Sequence, residues 1–243
     1  MTKLPALFVS CDADNIQSSG QACSGPARMI WGKHYKSVVI ISSRCDHKTP
    51  EILQLKGDGG TAGRIKALLS GHGFEPEVCS RDVSSRHQLF RVLLAEEPGE
   101  LTELILNTGM SELEYRPVGR CLEVLRKQDV LVICLDDKAC HREADGISLH
   151  DRHLRELLSA WAQDQRWGTA MSFKGDAAGP AQNTRLDDPT VCLLNTAFTL
   201  GGLQFPQRMF SSGMNNVAQK VTGFGWLQLS LIHISEPTRP RSI

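Results

Sequence analysis

The run Ser37-Val-Val-Ile-Ile-Ser42 carries apolar side chains at four consecutive positions. A strand with one wet face would alternate apolar and polar residues. A continuous β-branched run instead fits a parallel strand covered on both faces. Four further short runs are read as strands, over 4–10, 74–80, 101–107 and 130–135. Between them lie segments of helical period. Residues 61–72 place Ile65, Leu68 and Leu69 on one face and end at Gly71 and Gly73. Residues 85–96 do the same with Leu89, Val92 and Leu93. Ser111-Glu-Leu-Glu114 reads as a capping box that opens a third helix, with Val118, Cys121, Leu122 and Leu125 on its apolar side. Pro117 is expected to kink that helix or delay its start. This alternation predicts an α/β fold, a doubly wound Rossmann-like parallel sheet.

The texture changes after Asp137. A short strand over 146–149 and an amphipathic helix over 151–164 are followed by a Gly/Ala/Asp/Asn/Pro-rich loop over 169–190. The expected organisation is therefore a sensing domain over 1–150 and a helix with linker over 151–190. Residues 191–228 would begin a truncated second region, mostly helical. The run Leu229-Ser-Leu-Ile-His-Ile-Ser-Glu-Pro-Thr-Arg239 matches one translation frame of a transposase sequencing adapter. Residues 229–243 are read as an adapter artefact and set aside from the fold.

Lys+Arg and Asp+Glu both number 27. A neutral chain lacks the basic excess of an extended nucleic-acid footprint, but it can bind a small anion through a few local donors. The eight cysteines include no C-x-x-C pair, so a zinc site is not indicated and a reduced, cytoplasmic location is expected. No apolar stretch is long enough for a membrane helix, so no membrane partner is expected.

Open α/β sheets bind ligands at the carboxyl ends of their strands. Small polar residues occupy three such ends. They are Ser10 with Asn15 after the first strand, Ser42-Ser43-Arg44 after the second, and Asn107-Thr108-Gly109-Met110-Ser111 after the 101–107 strand. Gly109 admits close backbone approach, Ser111 opens a helix N-terminus that favours phosphate, and Arg44 adds a positive fork. Ordinary strand-to-helix turns use the same residue types. Gly57-Asp-Gly-Gly-Thr-Ala62 fits G-x-G-x-x-A, but it does not follow the first strand where a dinucleotide fingerprint belongs, so it is read as a flexible loop. Asp136 and Asp137 suit either an acid/base or metal pair or a capped turn. Cys140-His141 is a weak candidate for a nucleophile–base dyad. Walker A, G-x-S-x-G and H-E-x-x-H motifs are absent from the sequence.

The order of segments over 4–165 resembles the CRISPR-associated Rossmann fold (CARF) domain, and is most similar to the ancillary nucleases that couple this sensor to a restriction-endonuclease-like effector. The resemblance rests on Leu104-Ile-Leu-Asn107-Thr-Gly109-Met-Ser111, on Cys134-Leu-Asp136-Asp137, and on Ile147-Ser-Leu-His-Asp-Arg-His-Leu154. The family loop runs Asn-x-Thr-Gly-Gly-Thr-Lys. Here Met110 replaces the second Gly, Ser111 the Thr and Glu112 the Lys.

The resemblance implies a homodimeric sensor of cyclic oligoadenylate in antiviral defence. It implies no cofactor in the sensor, a divalent metal in a nuclease domain beyond this chain, and nucleic acid met only through that effector. No catalytic residue can be assigned within this chain. The alternatives are a CARF-type transcription regulator, a ring nuclease cleaving its own ligand, and a nucleotide-dependent oxidoreductase. The first needs a basic helix-turn-helix, the second a base near the loop, and the third a fingerprint after the first strand.

Overall fold

A computed structural model describes residues 3–11, 35–44, 49–80, 98–107, 110, 112–137, 188–204, 208–212 and 221–226. Eight strands form one sheet: β1 (Ala6–Cys11), β2 (Ser37–Arg44), β3 (Glu51–Lys56), β4 (Glu77–Ser80), β5 (Glu100–Asn107), β6 (Val130–Asp137), β7 (Arg208–Ser212) and β8 (Val221–Trp226). The described helices are α1 (Gly60–Ser70), α2 (Glu112–Leu122) and α3 (Asp188–Leu200), with a 3-10 segment (Glu123–Gln128) after α2.

The strand order is β4-β3-β5-β2-β6-β1-β8-β7. Its centre is the expected parallel unit: β5 pairs with β2, β2 with β6, and β6 with β1, all parallel. Alternation in these strands sends Phe8, Val39, Ile41, Leu104, Leu106, Val132 and Cys134 into one core with α1, α2 and α3. Leu7, Val9, Val38, Ile40, Leu131 and Ile133 occupy the other face and are fully buried as well. Both faces of the central strands are thus removed from water, which is what their continuous apolar runs require.

Outside this parallel centre the sheet is mixed, with antiparallel pairs on both flanks. Residues 51–56 form a strand that the sequence pattern did not single out, and it runs antiparallel to β5. Six residues separate β2 from β3 (45–50). That is too short for the crossover a parallel return needs, so the chain reverses. β3, α1 and β4 then make a small βαβ unit, with β4 parallel to β3 at the sheet edge. The strand expected over 74–80 is confined to β4.

Residues 188–226 correct the expectation of a separate second region. β8 pairs antiparallel with β1, and β7 with β8, while α3 packs in the same core as α2. The 169–190 loop ends earlier than expected, because α3 begins at Asp188. The segments expected over 85–96, 146–149 and 151–164 lie outside the described residues, as do Cys140-His141 and residues 229–243.

Helix boundaries follow local chemistry. α1 ends through Gly73 at φ +84, with the Phe74 amide donating to the Leu69 carbonyl. Pro117 is accommodated inside α2 and does not delay its start at Glu112. At Gly119 α2 meets α3 so closely that a Cβ would lie 1.9 Å from Thr199 Oγ1 and 2.5 Å from the Thr196 carbonyl oxygen. Arg126, itself buried, donates to the carbonyls of Leu4, Leu200 and Trp226, and so ties β1, α3 and β8 together.

Candidate functional site

The four parallel strands end on one edge, at Cys11, Arg44, Asn107 and Asp137. From β2 the chain proceeds to β3 on one side of the sheet, and from β6 it proceeds to β7 on the other. The carboxyl ends of β2 and β6 therefore form a topological switch point, the place where open α/β sheets accommodate ligands.

On the helical face of that edge, Ser10 Oγ donates to Asp136 Oδ2 at 2.9 Å and Thr190 Oγ1 donates to Asp136 Oδ1 at 3.1 Å. Ser43 Oγ makes a long hydrogen bond, 3.4 Å, to the Pro189 carbonyl oxygen. Ser10, Asp136 and Thr190 are all buried. The first turn of α3 is thus seated on the switch point, held from β2 and β6, with Ser10 of β1 bracing Asp136.

On the opposite face, Ser42 Oγ donates to Glu103 Oε1 at 2.6 Å, and both side chains are buried. Ser42 and Ser43 cannot line one pocket together because β2 continues to Arg44, and successive strand residues point to opposite faces. The sequence pattern predicts that β2 ends at Ser42 with a turn over 42–44, whereas the strand runs on to Arg44.

Asn107 pairs in register with Arg44 on the neighbouring strand. Its carbonyl accepts a short hydrogen bond from Tyr115 Oη, which fixes the end of β5 to the first turns of α2. Ser10 lies three strands away from Asn107, roughly 14 Å at ~4.8 Å per strand. Met110, expected among the ligand contacts, packs against the hydrophobic core. Asn15, Thr108, Gly109 and Ser111 lie outside the described residues. The expected site residues are thus dispersed: Ser10 and Ser43 lie under α3, Asn107 lies beside Arg44 of β2, Ser42 faces Glu103 on the opposite face, and Met110 packs on the core. Ser10 and Ser42 are consumed by internal partners.

Glu103 and the partners of Asp136 were not anticipated from sequence. Glu103 is a carboxylate buried in β5 next to another buried polar residue, Thr102, and a charged residue within that run was the available signal. Asp136 was recognised, but its partners come from β1 and α3 and could not be read from its neighbours. Among the described residues, no cluster of three His, Cys, Asp or Glu side chains is placed to hold a metal ion.

The glycine-rich run after β3 resolves differently. It lies at the amino edge of the parallel strands, away from the switch point. The Gly60 amide donates to Glu100 Oε1 at 3.1 Å and to Asp58 Oδ1 at 3.0 Å. Ser37 Oγ donates to Glu100 Oε2 at 2.8 Å, and Thr61 Oγ1 makes a shorter bond to the same oxygen. The N-terminus of α1 is therefore already occupied by the chain's own carboxylate. Partial burial opposes ionisation of Glu100. The hydrogen bonds from Thr61, with Asp58 and Ser37, outweigh that effect and bring its carboxyl down to about 2. A Cβ at Gly57 would lie 2.7 Å from Glu100 Cγ, so this glycine serves close packing.

The fold and this edge define the class: an α/β protein with a Rossmann-like parallel centre, flanked by antiparallel strands. No protein-family model matches the chain, and no curated protein matches it either. Among solved structures it is similar to an uncharacterized protein, JW3007 from Escherichia coli K12, with a TM-score of 0.56 and 12% identity. That similarity covers 92% of this chain and 99% of the other, and it bears on the fold alone. Among the described residues no helix is long and apolar enough to cross a membrane.

Proposed function

We propose that this protein binds a nucleotide-class ligand at the carboxyl edge of its parallel strands, between the β2/β6 switch point and the loop that follows β5. The observation that carries the reading is the divergence of the chain at that point, next to a β5 end held by Tyr115. The resemblance of residues 104–111 to the CARF loop narrows the ligand to a cyclic oligoadenylate bound by a homodimer. A two-fold axis would then present two such loops to one symmetric ligand. In this reading Asn107, in register with Arg44, would fix a base edge or a ribose hydroxyl.

Calorimetric titration with cyclic tetra-adenylate and cyclic hexa-adenylate tests this. Removing one partner of a hydrogen bond and leaving the base or ribose group unsatisfied costs ~1–3 kcal/mol, so Asn107→Ala should weaken binding roughly five- to a hundred-fold. Glu112→Lys adds a cation at the start of α2 and should tighten binding with a steeper salt dependence. Absence of heat with both ligands, for the natural sequence and for Glu112→Lys alike, would remove this reading.

A further inference from the structure

The polar side chains at the carboxyl ends of β1 and β6, Ser10 and Asp136, are closed off from solvent. Thr190 and Pro189, in the first turn of α3, are hydrogen-bonded to Asp136 of β6 and Ser43 of β2. Thr190, Asp136 and Ser10 beneath them are buried to 1% exposure or less. The other end of α3 is held independently, by Arg126 on the Leu200 carbonyl, and its middle by the close contact at Gly119. The two anchors differ in kind. The C-terminal one is a buried guanidinium shared with Leu4 and β8, whereas the N-terminal one includes the hydroxyl hydrogen bonds of Thr190 and Ser43.

We propose that the first turn of α3 is a plug seated on the switch point, held by the Thr190–Asp136 hydrogen bond. It lifts locally, from its N-terminal end, when a ligand enters. The ligand half of this statement rests on the proposed function; the plug itself does not. A protein whose binding-competent state is only fractionally populated binds with an apparent affinity reduced by that fraction. Loosening the plug therefore raises apparent affinity without adding a contact to the ligand.

Cys192, buried in the next turn of α3, is a native reporter of lifting. Cys134, fully buried in the centre of β6, reports unfolding of the sheet. The experiment is site-resolved thiol labelling of the full chain, read by peptide mass spectrometry. Thr190→Val keeps the side chain's shape and removes its hydrogen bond to Asp136. It should speed Cys192 labelling roughly tenfold while leaving Cys134 unchanged. Thr190→Ser restores the hydroxyl and should restore the slow rate. Unchanged Cys192 labelling in Thr190→Val, or a parallel rise at Cys192 and Cys134, would overturn the plug.

A second arm adds cyclic tetra-adenylate. Tighter binding by Thr190→Val than by the natural chain supports ligand entry through the plug, and equal binding overturns it. Failure of both proteins to bind removes the ligand reading, while the labelling result still decides the plug.

Discussion

Glu100→Gln should destabilise the domain through the start of α1, and the loss should depend on pH with a defined sign. Its carboxylate accepts hydrogen bonds from the Gly60 amide and from the hydroxyls of Ser37 and Thr61. Against the opposing effect of burial, hydrogen bonding with Thr61, Asp58 and Ser37 brings its carboxyl from the ordinary 4.5 down to about 2 in the folded protein. A depression of about 2.5 units corresponds to a ceiling of ~3.4 kcal/mol. Glu100 is partly open to water, so screening reduces this to roughly 1–2 kcal/mol. Because the folded value is the lower one, the stabilisation is fully present above pH ~4.5. It is lost progressively as pH falls toward 2. Urea unfolding of the natural protein and Glu100→Gln at pH 7, 5, 4 and 3 measures the difference directly. The gap should be about 1–2 kcal/mol at pH 7 and 5 and should narrow at pH 4 and 3. A gap that stays constant across these pH values would show that the carboxylate's charge does not hold the α1 terminus.

Gly119→Ala should cost about 1–3 kcal/mol in chemical denaturation, because the added methyl would collide with Thr199 and with backbone of α3; an unchanged midpoint would mean the α2–α3 seam is looser than described. Arg126→Met fills similar volume but leaves three carbonyls without their shared donor. It should lower stability by at least ~2 kcal/mol and speed amide exchange in α3 and β8. Exchange confined to the 3-10 segment would argue against a clip between these elements.

Periodicity and run length were enough to place β1, β2, β5, β6, α1 and α2. Residues such as Val38–Ile41 and Val130–Leu135 are apolar on both faces, and only a doubly covered strand needs that. What the sequence could not convey is who pairs with whom. β3 has a mixed pattern, Glu-Ile-Leu-Gln-Leu-Lys, because half of it is only partly buried, and its antiparallel direction follows from a short connection closed in three dimensions. β8 carries two glycines, which weaken a strand by local propensity. It becomes a strand by pairing with β1, more than 200 residues earlier in the chain.

The candidate site divides in the same way. That polar residues gather at strand ends was legible, since turns and ligand sites draw on the same small set of side chains. Which of them remain available was a tertiary decision. Strand alternation sent Ser42 to Glu103 and Ser43 toward α3, and Asp136 found Ser10 and Thr190 across long separations in sequence. The glycine-rich run shows the limit most plainly. Its spacing alone fits a phosphate loop, but a carboxylate 40 residues downstream in sequence, Glu100, occupies the helix terminus where a phosphate would sit. Local propensity acts within a few residues, whereas occupation of a hydrogen-bonding terminus is settled by whatever the fold brings within 3 Å of it.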